Sequence, residues 1–233
     1  MSERPVDQLR DVKLEIPYTD STPGSVLISM GRTRVLCTAS VLPEVPRWMK
    51  DTGKGWVTAE YGMLPGSSPE RVRRDHVSGG RAKEISRLIG RSLRAAVDLK
   101  TMGEGMAMVD CDVIEADGGT RTAAITGAWI ALHYALEDAV DNGRIAKNPI
   151  IDEVAAVSVG IIDGIPTLDL DYLKDVNAEV DMNVVMSGRG LLVEVQGTAE
   201  RAPFTRDELD QLLDLAARGI AELHELQRRA IAE

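Results

Sequence analysis

The amino-acid sequence predicts a mixed α/β protein of the α+β kind, with mixed sheets and packed helices, folded as one domain over residues 1–233. Three observations lead there. Short runs rich in Val, Leu, Ile and Thr, broken by glycine turns, fill residues 26–61 and return after residue 154. Long helical patterns lie between and after them, near residues 82–100, 121–140 and 206–232. No linker or low-complexity stretch divides the chain, so strands and helices must share a core.

Residues 26–30 and 33–41 read as strands joined by a tight turn at Gly31-Arg32, with Pro43 and Pro46 ending the second. Residues 56–61 form another strand, followed by a loop over 62–78 rich in Gly, Ser, Pro and Arg. The helix expected over 82–100 carries an apolar stripe of Ile85, Leu88, Ile89, Leu93 and Val97, with Glu84, Arg87, Arg91 and Arg94 opposite. Residues 106–114 alternate, with Ala107, Val109, Cys111 and Val113 on one face and Asp110 and Asp112 on the other. If buried, those two acids need partners, and the arginines are the expected ones. The helix over 121–140 is apolar nearly all round, as a central helix is, and Asp141-Asn142-Gly143 stops it.

The second half repeats the theme. Residues 154–162 read as a buried strand, paired with 167–172 across a hairpin at Asp163-Gly164. Residues 181–186 and 191–195 read as a further pair, with a turn at 187–190. The last helix starts after Thr205, with Glu208 three residues on completing a capping box.

A hydrophobic fraction of 44% and a charged fraction of 27% fit an ordinary soluble protein. No apolar run reaches the roughly 18 residues of a membrane span, and the opening Met-Ser-Glu-Arg-Pro does not read as a signal peptide. Cys37 and Cys111 each sit in an apolar strand pattern, which points to buried thiols in a reducing cytoplasm rather than a disulfide or zinc site. The net charge of −10 argues against a polyanion partner, but its distribution argues for one. Residues 71–100 hold nine bases against three acids, a balance of +6. Such a patch on an acidic body is a footprint for nucleic acid, although a single solvated helix face would look similar.

The most informative stretch is Gly118-Gly119-Thr120-Arg121. Paired glycines permit positive φ and close backbone approach. A helix start beyond them offers free N–H groups to an anion, Thr120 adds a hydroxyl and Arg121 a planar guanidinium. A tight strand-to-helix turn alone could explain this. A second copy of the device, Gly79-Gly80-Arg81 before the preceding helix, favours two cradles closing on one phosphate.

Asp169, Asp171, Asp175, Glu179 and Asp181 make an acidic cluster that could hold Mg²⁺, which takes one or two carboxylates together with water and phosphate oxygens. Asp169 and Asp171 share a strand face and read as solvated. Asp175 and Asp181 bracket a turn, and Asp181 opens an otherwise apolar strand where a charge needs a reason. His76, His133 and His224 have no catalytic spacing, and the phosphate loop of nucleotide-binding proteins is absent. Anion cradles beside carboxylates, without a nucleophilic side chain, suggest phosphoryl transfer.

Several stretches resemble the ribonuclease PH family. They are residues 55–65, 79–81, 91–99 and 110–123, then 181–186 and 194–200. The resemblance extends from about Asp7 to the end of the chain. It implies the ribonuclease PH fold, related to the second domain of ribosomal protein S5. It also implies a phosphate-dependent 3′→5′ exoribonuclease that trims tRNA precursors and other RNA 3′ ends, releasing nucleoside 5′-diphosphates reversibly.

Carried across by residue, Arg81, Gly119, Thr120 and Arg121 would bind phosphate, and Asp175 and Asp181 would be the catalytic, metal-associated carboxylates. The implied co-substrate is inorganic phosphate and the implied metal is Mg²⁺, or Mn²⁺ in its place. The implied assembly is a homohexamer built as a trimer of dimers, in the cytoplasm and away from membranes. The segment between Pro65 and Gly79 is shorter than the family pattern. It is where members present arginines to RNA, and Arg71, Arg73 and Arg74 would serve there, with Arg87 and Arg91 continuing the basic surface. Two other readings stand beside this one: a non-catalytic RNA-binding subunit of a ring, and an unrelated phosphate-using enzyme.

Overall fold

The computed structural model describes residues 4–73, 79–201 and 203–232. Its first sheet has five strands, β1 (Val12–Glu15), β2 (Gly24–Met30), β3 (Thr33–Leu42), β4 (Trp56–Met63) and β5 (Met106–Glu115). They lie in the order β1-β2-β3-β5-β4, antiparallel except for the β4–β5 pair. The crossover between the parallel strands carries α1 (Gly80–Arg94) and the short α2 (Leu99–Met102). From β5 the chain turns directly into α3 (Thr120–Asp141).

The second sheet is antiparallel throughout. Its strands are β6 (Val154–Ile162), β7 (Ile165–Leu168), β8 (Val180–Ser187) and β9 (Leu192–Ala199), in the order β7-β6-β8-β9. A short helix, α4 (Tyr172–Asn177), joins β7 to β8, and α5 (Arg206–Ala232) closes the chain.

The apolar helix α3 is the centre of the molecule. It packs on β2, β3 and β5 of one sheet and on β6 and β8 of the other, with α5 beside it on β6, β7 and β8. Its small residues permit this. A Cβ on Gly127 would stand 2.7 Å from Ile28 Cγ2 and 3.0 Å from Cys37 Sγ. Both sheets close on one continuous apolar core. Cys37 and Cys111 are both buried free thiols, facing each other across β3 and β5. Among the described residues no helix is long and apolar enough to cross a membrane. Thr205 and Glu208 form the capping box, with Thr205 N donating to Glu208 Oε2 at 2.6 Å and Glu208 N to Thr205 Oγ1 at 3.2 Å.

Two expectations need correction. The helix expected over 82–100 stops at Arg94, because the backbone at 96–98 is taken by another segment: Val97 bridges to Ile150, and Asp98 N donates to Pro149 O at 2.8 Å. Asp98 then caps α2. The strand expected over 167–172 ends at Leu168, since Asp169 takes a positive φ of 53° and the chain coils into α4. Asp175 therefore stands on a helix rather than on a hairpin tip. Asp110 and Asp112 are both exposed on β5, so the need for arginine partners, which held only for buried acids, does not arise; partial desolvation raises both carboxyls. The N-terminal strand β1, with no marked pattern of its own, is recruited by pairing with β2.

Candidate active site

Two helix starts face one cleft. The N-cap of α1 is Gly79 and that of α3 is Gly119, and among the described residues no N-cap side chain bonds the first amides of either helix. Uncapped first-turn N–H groups are free to meet an anion. Gly118 and Gly119 both have positive φ, 78° and 65°, which a side chain would strain. At Gly118 no Cβ fits, because it would fall 2.5 Å from Leu170 O and 2.8 Å from Tyr172 N.

Arg81 and Arg121 extend from these two starts. Burial raises the Asp175 and Asp181 carboxyls and the Tyr61 hydroxyl, and both arginines lie near enough to all three to oppose that rise. That shared reach brings Arg81, Arg121, Asp175 and Asp181 together. Arg121 is held between two walls: its Nη1 donates to Gln196 Oε1 at 3.2 Å on β9 and to Glu84 Oε1 at 3.4 Å on α1. Thr120 Oγ1 shares a 2.8 Å hydrogen bond with Tyr61 OH at the inner end of β4.

The carboxylates come from the other half of the chain. Asp175 sits on α4, whose N-cap Asp171 accepts from Lys174 N. Asp181 sits on β8, opposite Thr198 of β9. Desolvation in the cleft pushes the Asp181 carboxyl up from 3.8 to about 6, and the neighbouring charge of Asp175 adds to it. The two arginines counter the rise without cancelling it. Asp175 is an exposed residue, yet partial burial of its carboxyl raises it too. Glu200, just past β9, contributes a further negative charge that raises both.

Among the described residues no three or more His, Cys, Asp or Glu side chains gather closely enough to hold a metal. Asp175 and Asp181 thus offer two carboxylates only. That share suits Mg²⁺, whose remaining positions water and phosphate oxygens fill, and does not suit a tetrahedral zinc site.

The basic residues are dispersed. Arg91 is locked to Glu194 by two bonds of 2.5 and 2.7 Å, tying α1 to β9. Arg87 is exposed and lines a groove beside β4 with Lys83, Arg94 and Trp56. There the Arg94 guanidinium stacks 4.3 Å from the Trp56 ring centroid. Arg71 and Arg73 are exposed in the loop after β4. Arg74 and His76 lie outside the described residues. His133 and His224 stand away from the cleft, His133 Nε2 lying 3.2 Å from Glu137 Oε1 and His224 Nδ1 3.0 Å from Gln227 Oε1.

Sequence reasoning missed several groups. Tyr61 falls in the strand expected over 56–61 with nothing local to mark it. Glu194 and Gln196 gave a usable signal, since polar residues at alternating positions of β9 mark one strand face. The larger omission is Asp169, read as solvated but fully buried. Its carboxylate accepts from Arg10 Nε at 2.9 Å, Arg10 Nη2 at 2.7 Å and the Arg10 backbone N at 2.8 Å. Asp171 is not free either, being the cap of α4.

Residues 8–136 match the first domain of the 3′ exoribonuclease family, and residues 152–219 match its second. The chain belongs to that family. Similar folds occur in solved structures. The Archaeoglobus fulgidus exosome with RNA bound to the active site aligns at a TM-score of 0.81 and 21% identity, over 95% of this chain and 90% of that one. Rice (Oryza sativa) Rrp46 aligns at 0.81 and 17% identity, over 99% and 98%. An archaeal exosome core aligns at 0.79 and 19% identity, over 97% and 89%. At these identities the likeness is one of fold. Within the 3′ exoribonuclease framework each matched segment supplies one sheet. The cleft draws Tyr61, Arg81, Thr120 and Arg121 from the first segment, and Asp175, Asp181, Gln196 and Glu200 from the second.

Proposed function

We propose that this 3′ exoribonuclease family member shortens RNA from its 3′ end by phosphorolysis. The observation that carries the reading is the convergence of two glycine-led helix starts, each with an arginine, on a pair of carboxylates. Phosphate near neutral pH bears one to two negative charges, and its approach to a phosphodiester brings anions together. Arg81, Arg121, the Thr120 hydroxyl and the first amides of α3 supply the compensating donors.

A phosphate oxygen forms a bond to the phosphorus of the 3′-terminal phosphodiester, and the bond from that phosphorus to the 3′ oxygen of the preceding residue breaks. The terminal nucleotide leaves as a nucleoside 5′-diphosphate. The phosphate's proton ends on the freed 3′ oxygen of the shortened RNA. Asp175 and Asp181 would hold Mg²⁺ or Mn²⁺, which when bound neutralises charge on the transferring group. The exposed Arg71, Arg73 and Arg87 are the surface proposed to guide RNA, with tRNA precursors as the proposed substrates.

The test follows the released nucleotide from a 3′-tailed RNA. Nucleoside diphosphates appearing only with added phosphate are the expected result. Monophosphates released in phosphate-free buffer would mean a hydrolase, and RNA binding without turnover would mean a non-catalytic subunit.

The proposed assembly is a homohexamer, a trimer of dimers that gathers several copies of the basic surface around one RNA. Light scattering should give six times the mass of the 25.3 kDa chain. A monomer with full activity would remove the ring from the reading.

A further inference from the structure

We infer that Arg10, Asp169 and Thr33 form a positioning clamp that sets the phosphate cradle at a fixed distance from the Asp175 and Asp181 carboxylates. The inference rests on the phosphorolytic reading above.

The clamp joins two loops that come from different halves of the chain. On one side is the turn between β5 and α3. Arg10 Nη1 donates to Asp117 O at 2.6 Å and Nη2 reaches Gly118 O at 3.4 Å. Thr33 Oγ1 donates to Gly118 O at 2.6 Å and accepts from Asp117 N at 2.9 Å. With both carbonyls tied down, the turn that leads into the first amides of α3 is fixed in place. On the other side is the loop between β7 and α4. The buried Asp169 carboxylate takes three N–H donors from Arg10, while its backbone N donates to Ser158 O at 2.7 Å. Arg4 Nη2 closes the outside by donating to Asp169 O at 2.7 Å.

The two loops also touch directly. The space a Cβ of Gly118 would need is filled by the backbone of Leu170, Asp171 and Tyr172. Asp171 caps α4, and Asp175 N donates to Asp171 O at 2.8 Å. A short chain of directional bonds thus runs from the glycine turn through Arg10 and Asp169 to the helix that carries Asp175. Asp169 adopts its positive φ, unusual for a residue with a side chain, where that chain bends.

An ion pair buried only for stability can often be replaced by apolar residues without loss. This one divides its donors between two loops, and the geometry it fixes is the one the reaction depends on. Small displacements at such a site are costly: about 1 Å can lower a rate roughly 10²-fold.

The experiment compares Asp169→Asn and Thr33→Val with the wild type. It measures KM for phosphate, KM for a 3′-tailed RNA, kcat and melting temperature. The expected result is a rise of roughly tenfold or more in KM for phosphate, with KM for RNA essentially unchanged. A role in stability alone would lower the melting temperature and the active fraction while leaving KM for phosphate as it was, and that result in either folded variant overturns the clamp. If Asp169→Asn does not fold, Thr33→Val decides, since it removes one hydroxyl at nearly constant volume. Wild-type turnover without any need for phosphate would overturn the phosphorolytic reading itself, and is told apart from failure of the clamp by the wild-type control.

Discussion

Asp181→Asn should cut turnover by about 10²–10⁴-fold and, in the same protein, raise the melting temperature. The two effects have one cause. The carboxyl lies in a cleft that desolvates it beside the charge of Asp175, so that it titrates near 6 rather than 3.8. Above pH 6 the folded protein therefore carries an ionised group that would be better solvated in the unfolded chain. Between pH 6 and 3.8 the folded form holds the proton while the unfolded form releases it, so the penalty shrinks as pH falls. Below 3.8 it has gone. The asparagine keeps the shape without the charge. After allowance for solvent screening the gain at pH 8 is about 1–2 kcal/mol, a few degrees in melting temperature for a chain of this size. It should vanish near pH 4. Melting curves in metal-free buffer across this range, set beside phosphorolysis rates with Mg²⁺, test both halves. Excess Mg²⁺ or Mn²⁺ should restore part of the lost rate if the carboxylate serves as a metal ligand. A variant with wild-type turnover and an unchanged melting temperature would make Asp181 a surface residue.

The parts of this cleft that were legible in the sequence are those written locally. A glycine pair before a helix start needs only four consecutive residues to be seen, so Gly119, Thr120, Arg121 and Arg81 could be picked out with their chemistry. Asp181 was legible because a charge opened an apolar run. The apolar circumference of α3 gave away its central position for the same reason. Asp169 was not legible, because its meaning lies in Arg10, 159 residues away. Without that partner an aspartate two residues from another reads as a strand alternation, and the positive φ that ends β7 leaves no mark in composition. The break after Arg94 was hidden likewise. The stripe of Leu93 and Val97 continues at helical spacing, but the backbone there is drawn into pairing with residues 149–151. Tyr61 was hidden for a third reason, and the alternation that marks Gln196 stops short of its role for the same one. Each takes its role from what the cleft places opposite it, Thr120 Oγ1 and Arg121, and strand periodicity only says which face a residue is on.

Arg121→Ala should depress phosphorolysis by about 10²–10³-fold, the usual cost of removing one donor from a site that stabilises developing charge. The side chain is largely enclosed, 18% exposed, and its Gln196 and Glu84 partners hold the guanidinium across the cleft rather than out in solvent. The loss should appear chiefly in KM for phosphate, and by reversibility in KM for nucleoside diphosphate when the enzyme adds residues. Affinity for the body of the RNA should change little. Arg121→Lys should recover only part of the rate, because a point charge cannot offer the guanidinium's paired donors. A second consequence separates this role from a plain RNA contact. Arg121 is one of the two cations that hold the Asp175 and Asp181 carboxyls down. Without it the Asp181 carboxyl should titrate above 6 in metal-free buffer, a shift visible in carboxyl-carbon NMR across a pH series. Unchanged titration together with unchanged KM for phosphate would place Arg121 outside the cradle and leave Arg81 as its only guanidinium.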